Sequence, residues 1–123
     1  MILVDASVWI DHIRAPDTAL NGLLSRNEVF THPFVIGEVA LGQFRTREDV
    51  LFRLGRLPNA DVAMYPEVLR FIERYRLYGL GIGYIDVHLL ASTLLTEYSA
   101  LWTRDKRLRA AAEKLGVAAA GLN

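Results

Sequence analysis

The stretch Ile2-Leu3-Val4-Asp5-Ala6-Ser7-Val8 limits this chain more than any other. Three aliphatic residues in a row, two of them β-branched, predict a short strand buried on both faces. Asp5 interrupts that run, and a carboxylate is costly to desolvate unless something satisfies it. Val8-Trp9-Ile10 then begins a helical pattern. The stretch therefore predicts a strand, a tight turn and a helix whose N-cap is Asp5 or Ser7. It also places an acid at the carboxyl end of a strand, where open α/β sheets put their sites.

The rest of the chain repeats this alternation. The first helix is predicted over Val8 to Arg14, broken at Ala15-Pro16-Asp17, and a second, capped by Asp17 or Thr18, runs through Ser25. Val29-Phe30-Thr31 reads as a strand. A helix then opens at Pro33 and carries Val35, Ile36, Val39, Ala40 and Phe44. Arg45 to Arg56 is a more charged helix, and Val62-Ala63-Met64 a short strand. Pro66 opens a helix with Val68, Leu69, Ile72 and Tyr75 on one face. Gly79, Gly81 and Gly83 form a flexible connection to the most apolar helix, Tyr84 to Glu97. Ala100 to Thr103 is a strand, and a basic helix capped by Thr103 or Asp105 runs to Leu115. Gly116 ends it, and Val117 to Ala119 is the last predicted strand. Strands interleaved with helices predict a three-layer α/β/α sandwich around a central, mostly parallel sheet. No repeat, linker or low-complexity tract divides the chain, so one domain spanning residues 1–123 is expected.

Composition excludes several chemistries. The chain has no Cys, which removes disulfides, thiolate nucleophiles and Cys-ligated zinc. Its 14 basic and 14 acidic residues balance, so no global field steers it toward nucleic acid and any such binding must use local patches. All the basic residues but Lys106 and Lys114 are Arg, suited to bidentate contacts with phosphate or carboxylate. With neither a signal peptide nor a membrane-length apolar run, a cytoplasmic location is the expectation.

Most of the acids lie among polar neighbours or at turns. Four lie in apolar or strand-end surroundings: Asp5, Glu38 in Val-Ile-Gly-Glu-Val-Ala, Asp86 in Gly-Tyr-Ile-Asp-Val-His, and Asp105 in Leu-Trp-Thr-Arg-Asp-Lys. Strand ends and helix starts share one rim of a parallel sheet. Carboxylates crowded there repel one another unless a counter-charge is present. A hard divalent cation relieves the repulsion, and oxygen-only donors favour Mg²⁺ or Mn²⁺ over zinc. His88 falls about 200° around the helix from Asp86 and is read as a structural or rim residue. His12 and His32 carry no stronger signal. Ser7 and Thr103 read as hydroxyls that hold a carboxylate or a metal-bound water and not as nucleophiles, because no His–Asp pair is spaced to activate them.

Together these segments resemble the PIN-domain family and, within it, the VapC-type ribonuclease toxins. Val4 to Asp11 resembles the opening motif, Glu38 with Gly42 the second, Gly81 to Asp86 the third and Thr103-Arg104-Asp105 the fourth. The resemblance covers nearly the whole chain. It implies a metal-dependent endoribonuclease, a cognate VapB-type antitoxin and a homodimer. Asp5, Glu38, Asp86 and Asp105 match the family's acidic quartet, and Ser7 and Thr103 its accessory polar positions. Asp5, Asp86 and Asp105 are the expected Mg²⁺ or Mn²⁺ ligands, with Glu38 ligating or orienting the water that attacks the phosphodiester. Asp11 turns away from Asp5 on the helix and is left out. Arg14, Arg45, Arg47, Arg104, Lys106 and Arg107 are candidates to guide the RNA strand. Two other classes compete: a catalytically silent RNA- or protein-binding module on the same fold, and a receiver-type phosphoacceptor domain. The latter wants an acidic pair after the first strand and a later Lys.

Overall fold

The computed structural model describes residues 1–123. Strand β1 (Ile2–Val4) leads into α1 (Ala6–Arg14) and α2 (Thr18–Ser25), followed by β2 (Val29–Phe30), α3 (Pro33–Ala40) and α4 (Arg47–Gly55). Helices α5 (Tyr65–Tyr75) and α6 (Tyr84–Leu95), strand β3 (Ala100–Trp102) and α7 (Lys106–Lys114) complete the chain. The sheet has the order β2-β1-β3 with both pairings parallel; Ile2 faces Val29 on one side and Ala100 on the other. Successive strand residues point to opposite faces. Leu3 and Val4, like Leu101 and Trp102, are all buried, so helices cover both faces of the sheet as the unbroken apolar runs predicted. A single cluster of 26 buried residues forms the core.

The parallel pairing has the consequence that matters for function. Asp5, Thr31-His32 and Thr103 each leave the carboxyl end of a strand on the same rim.

The sequence expectations hold for element type more than for element ends. Helix α1 starts at Ala6, two residues earlier than predicted, because Asp5 is its N-cap. Helix α3 stops at Ala40 instead of running to Phe44. The Arg47 guanidinium folds back and donates twice to the Ala40 carbonyl, at 2.7 and 3.1 Å, so the orphan end of α3 is satisfied from α4. Helix α6 ends at Leu95, short of Glu97, where the Ser99 hydroxyl caps the Thr93 and Thr96 carbonyls.

Two predicted strands are not formed. Beyond β2, pairing reduces to one bridge between Thr31 and Asn59. The chain then leaves the sheet edge to cross α6, where the Ser92 hydroxyl donates to the Asp61 carbonyl. Val62-Ala63-Met64 therefore joins no strand. Beyond β3, Val117 to Ala119 makes one parallel bridge to Leu101 and no strand.

Candidate metal centre

Three of the four acids are held at the start of a helix. Asp5 caps α1 and is 9% exposed. Its Oδ1 accepts from the Ala6 amide at 2.8 Å, and its Oδ2 accepts from the Ser7 hydroxyl at 2.8 Å and the Thr103 hydroxyl at 2.7 Å. These bonds offset the desolvation cost of the charge and fix its orientation. Asp105 caps α7, with Oδ1 accepting from the Arg107 and Leu108 amides. Its own amide donates to the Thr103 hydroxyl at 3.1 Å. Asp86 sits in the first turn of α6 and reaches back to the Gly83 amide at 3.1 Å. Glu38 is exposed on α3.

Asp86 is where the four acids meet electrostatically. Its carboxyl is pushed above the usual aspartate range, first by burial. The Gly83 amide opposes that shift, and the charges of Asp5, Asp105 and Glu38 add to it. The fold thus brings the four predicted acids within electrostatic reach of one another. No three of the acidic or histidine side chains stand close enough to form a ready-made metal cage. The donor chemistry nevertheless fits a hard cation: carboxylate oxygens turned toward one rim, one of them made harder to ionise by burial and by its neighbours' charges, and no His among them.

Ser7 and Thr103 lie where they were expected. Both hydroxyls bind Asp5 Oδ2, and they stand 3.4 Å from each other. His88 is buried as a structural residue among His32, Phe34 and Tyr84. His12 accepts from the Asp17 amide, and His32 caps α3 by accepting from the Phe34 amide at 3.0 Å. The cap was readable as an N-cap position, since Pro33 at the start of a helix forces its predecessor into an extended conformation. His32 is fully buried, and burial followed by the neighbouring His88 lowers its pKa to about 4.

The basic residues divide sharply. Arg14, Arg45 and Lys106 are exposed and free to meet a polyanion. Arg107 is exposed but lies across the glycine loop: a Cβ on Gly81, whose φ is +75°, would stand 2.7 Å from its Nη1. Arg104 corrects the sequence reading, as does Arg47, which closes α3. Arg104 pairs with Asp11 at 2.8 Å and Asp17 at 2.7 Å, donates to the Asn123 carbonyl and lies over the Trp102 ring. Two carboxylates already engage its guanidinium. Asp11 was left out because it turns away from Asp5 on the helix, and Asp17 because it sits at a turn; nothing local reveals a partner some ninety residues away.

Comparison with known proteins agrees with this geometry. Residues 2–114 match the PIN domain family. Ribonuclease VapC32 from two Mycobacterium tuberculosis strains is 50% identical over 120 residues, covering 98% of this chain and 97% of the relative. The crystal structure of PAE2754 from Pyrobaculum aerophilum superposes with a TM-score of 0.62 at 18% identity, over 92% of this chain and 80% of that one, which is a likeness of fold. This chain belongs to the PIN-domain family.

Proposed function

We propose that the chain is a divalent-metal-dependent endoribonuclease and the toxin of a VapB–VapC pair, formed as one nuclease domain over residues 1–123. The observation that carries this reading is the Asp86 carboxyl, raised by burial and by the charges of Asp5, Asp105 and Glu38 on one rim. Half-identity to a ribonuclease over nearly the full length supports the substrate.

Asp5, Asp86 and Asp105 would hold the ion, Mg²⁺ or Mn²⁺, and Glu38 would ligate it or orient the water. When bound, the ion supplies Lewis-acid chemistry: it eases deprotonation of water and offsets charge developing at the phosphate. The chain's own residues prepare the site. Ser7 and Thr103 clamp Asp5 in one orientation, so its charge need not reorganise during reaction. Glu38, exposed on α3, is free to accept a proton-bearing water. Lys106 and Arg107 open α7 beside Asp105 and are the nearest phosphate contacts; Arg14 and Arg45, exposed at or beyond the far ends of α1 and α3, would meet the RNA further along its strand, and the balanced overall charge favours a chosen loop or structured RNA over indiscriminate binding.

The partners follow from the surface. No helix is long and apolar enough to cross a membrane. Leu41 beyond α3 and Leu69 on α5 are 85% and 50% exposed, and Phe71, Tyr75, Leu94 and Leu95 line a cavity of about 500 Å³ between α5 and α6. These faces suit a homodimer and an antitoxin helix, met in the cytoplasm. The receiver-type alternative is disfavoured, because Asp5 stands alone after β1, with no acidic neighbour. Mapping RNA cleavage in cells that briefly express the protein, alone and with the product of a neighbouring gene, tests the whole reading. Discrete new 5′ ends that vanish on co-expression are expected; unchanged RNA would refute it.

A further inference from the structure

We propose that Arg104 is a positioning residue of the metal centre, fixing the segment between Thr103 and Asp105 so that the Asp5 and Asp105 carboxylates keep one relative placement. This deepens the function proposed above and rests on it.

Asp5 and Asp105 lie 100 residues apart in sequence and begin different helices, so their spacing depends on what joins β3 and α7 to α1. The β1–β3 ladder runs up to the Asp5 amide, which donates to the Trp102 carbonyl at 2.9 Å, and beyond it the join is made by residues 103–105. The Thr103 hydroxyl spans the two acids, donating to Asp5 Oδ2 and accepting from the Asp105 amide. The Thr103 carbonyl is held by Arg109 Nη2 at 2.9 Å. The Arg104 amide donates to the Ser7 hydroxyl at 3.1 Å, the same hydroxyl that binds Asp5.

The Arg104 side chain locks this peptide from outside. Nη1 takes Asp11, in the second turn of α1; Nη2 takes Asp17, the N-cap of α2; Nε takes the Asn123 carbonyl. One planar fork therefore ties the metal-centre peptide to both helices that follow β1. A Lys ammonium, a point charge on a flexible stem, cannot meet three partners in that plane.

Charge and exposure separate this role from RNA binding. Arg104 and Asp17 side chains are only 28% and 22% exposed, and two carboxylates already neutralise the guanidinium. Ion pairs so sheltered hold geometry better than exposed ones, which contribute little. A phosphate approaching Arg104 would have to displace Asp11 or Asp17 and would meet the other's negative charge.

The test is Mn²⁺ affinity, measured by calorimetry on the full chain with Mn²⁺ alone, for wild type, Arg104→Gln, Arg104→Lys and Asp11→Asn. Melting in EDTA establishes that each variant is folded. Losses in residues that orient metal ligands typically cost about 10- to 100-fold in metal affinity or activity. Arg104→Gln is expected to weaken Mn²⁺ binding by about that factor, Arg104→Lys by less, and Asp11→Asn least. On any RNA that wild type cleaves, kcat should fall while KM and its salt dependence stay near wild type. Folded variants that bind Mn²⁺ as wild type does, with a raised KM and a shallower salt slope, would make Arg104 an RNA contact and overturn the proposal. If Arg104→Gln does not fold, Asp11→Asn decides, because Asp11 is half-exposed and Arg104 keeps Asp17. A wild type that binds no Mn²⁺ overturns the metal reading and this proposal with it; equal binding by wild type and Arg104→Gln overturns this proposal alone.

Discussion

Replacing Asp86 with Asn should inactivate the protein without weakening its metal-free fold. Asp86 is half-buried in the first turn of α6, and its only hydrogen bond is the one Oδ2 accepts from the Gly83 amide. An Asn oxygen can accept that bond. What the substitution removes is a negative charge whose folded-state pKa is raised, by burial first and then by Asp5, Asp105 and Glu38. A raised pKa means that the ionised form is less favourable in the fold than in the unfolded chain, even after the help of Gly83 and the helix terminus. The sign follows from linkage. The folded state binds the extra proton, so metal-free stability is full below the ordinary aspartate value of 3.8 and falls as pH rises through the raised folded value. Above that window it levels off. Asp86→Asn never pays this penalty. In EDTA the variant should melt at or above wild type near neutral pH, and the gap should close as pH drops below 3.8. Divalent metal reverses the order. Mg²⁺ at a hundredfold excess over its dissociation constant should stabilise wild type by about 2.7 kcal/mol. At this chain length that is a rise of about 10 °C in Tm, largely absent in the variant. Thermal melting of both proteins across pH, in EDTA and in Mg²⁺, provides the assay. A wild-type midpoint unmoved by Mg²⁺, with Asp86→Asn melting well below wild type in EDTA, would make Asp86 a helix cap and refute the reasoning.

Two further outcomes are expected. Thr103→Val keeps the shape of a buried side chain but deletes the 2.7 Å bond to Asp5 and the acceptor for the Asp105 amide; losing a charge-assisted hydrogen bond should cost about 2 kcal/mol, read as a Tm lower by about 8 °C in EDTA. His32, whose pKa is lowered to about 4, is neutral in the fold while the unfolded chain takes up a proton near 6.5, so it makes stability fall as pH drops from 6.5 toward 4. His32→Asn retains an N-cap acceptor and should flatten that fall in melts between those pH values; an unchanged slope would show that His32 is not its source.

What was legible in the sequence is what short-range chemistry writes there. The apolar run before Asp5, the Pro33 helix start and the Asp105 cap each report a local backbone requirement, and the parallel sheet follows from their order. The four acids stood out in the sequence because acids in apolar or strand-end surroundings must have a reason to be there, and the structure brings their charges to bear on Asp86. Where reading failed, the deciding partner is far away in sequence. Val62 to Met64 has the composition of a strand, but Ser92 holds its neighbour Asp61 away from the sheet edge. Helix α3 stops early because Arg47 folds onto Ala40. Arg104 looked like an RNA contact beside Asp105, since nothing near it in sequence announces Asp11 and Asp17.

The central claim is that Asp5, with Asp86 and Asp105, holds a divalent ion that RNA hydrolysis requires. Incubating purified wild type and Asp5→Asn with RNA in Mg²⁺, in Mn²⁺ and in EDTA tests it most directly. Cleavage by wild type only when metal is present, with a loss of orders of magnitude in Asp5→Asn, is the predicted result. Full activity of Asp5→Asn in EDTA would contradict it.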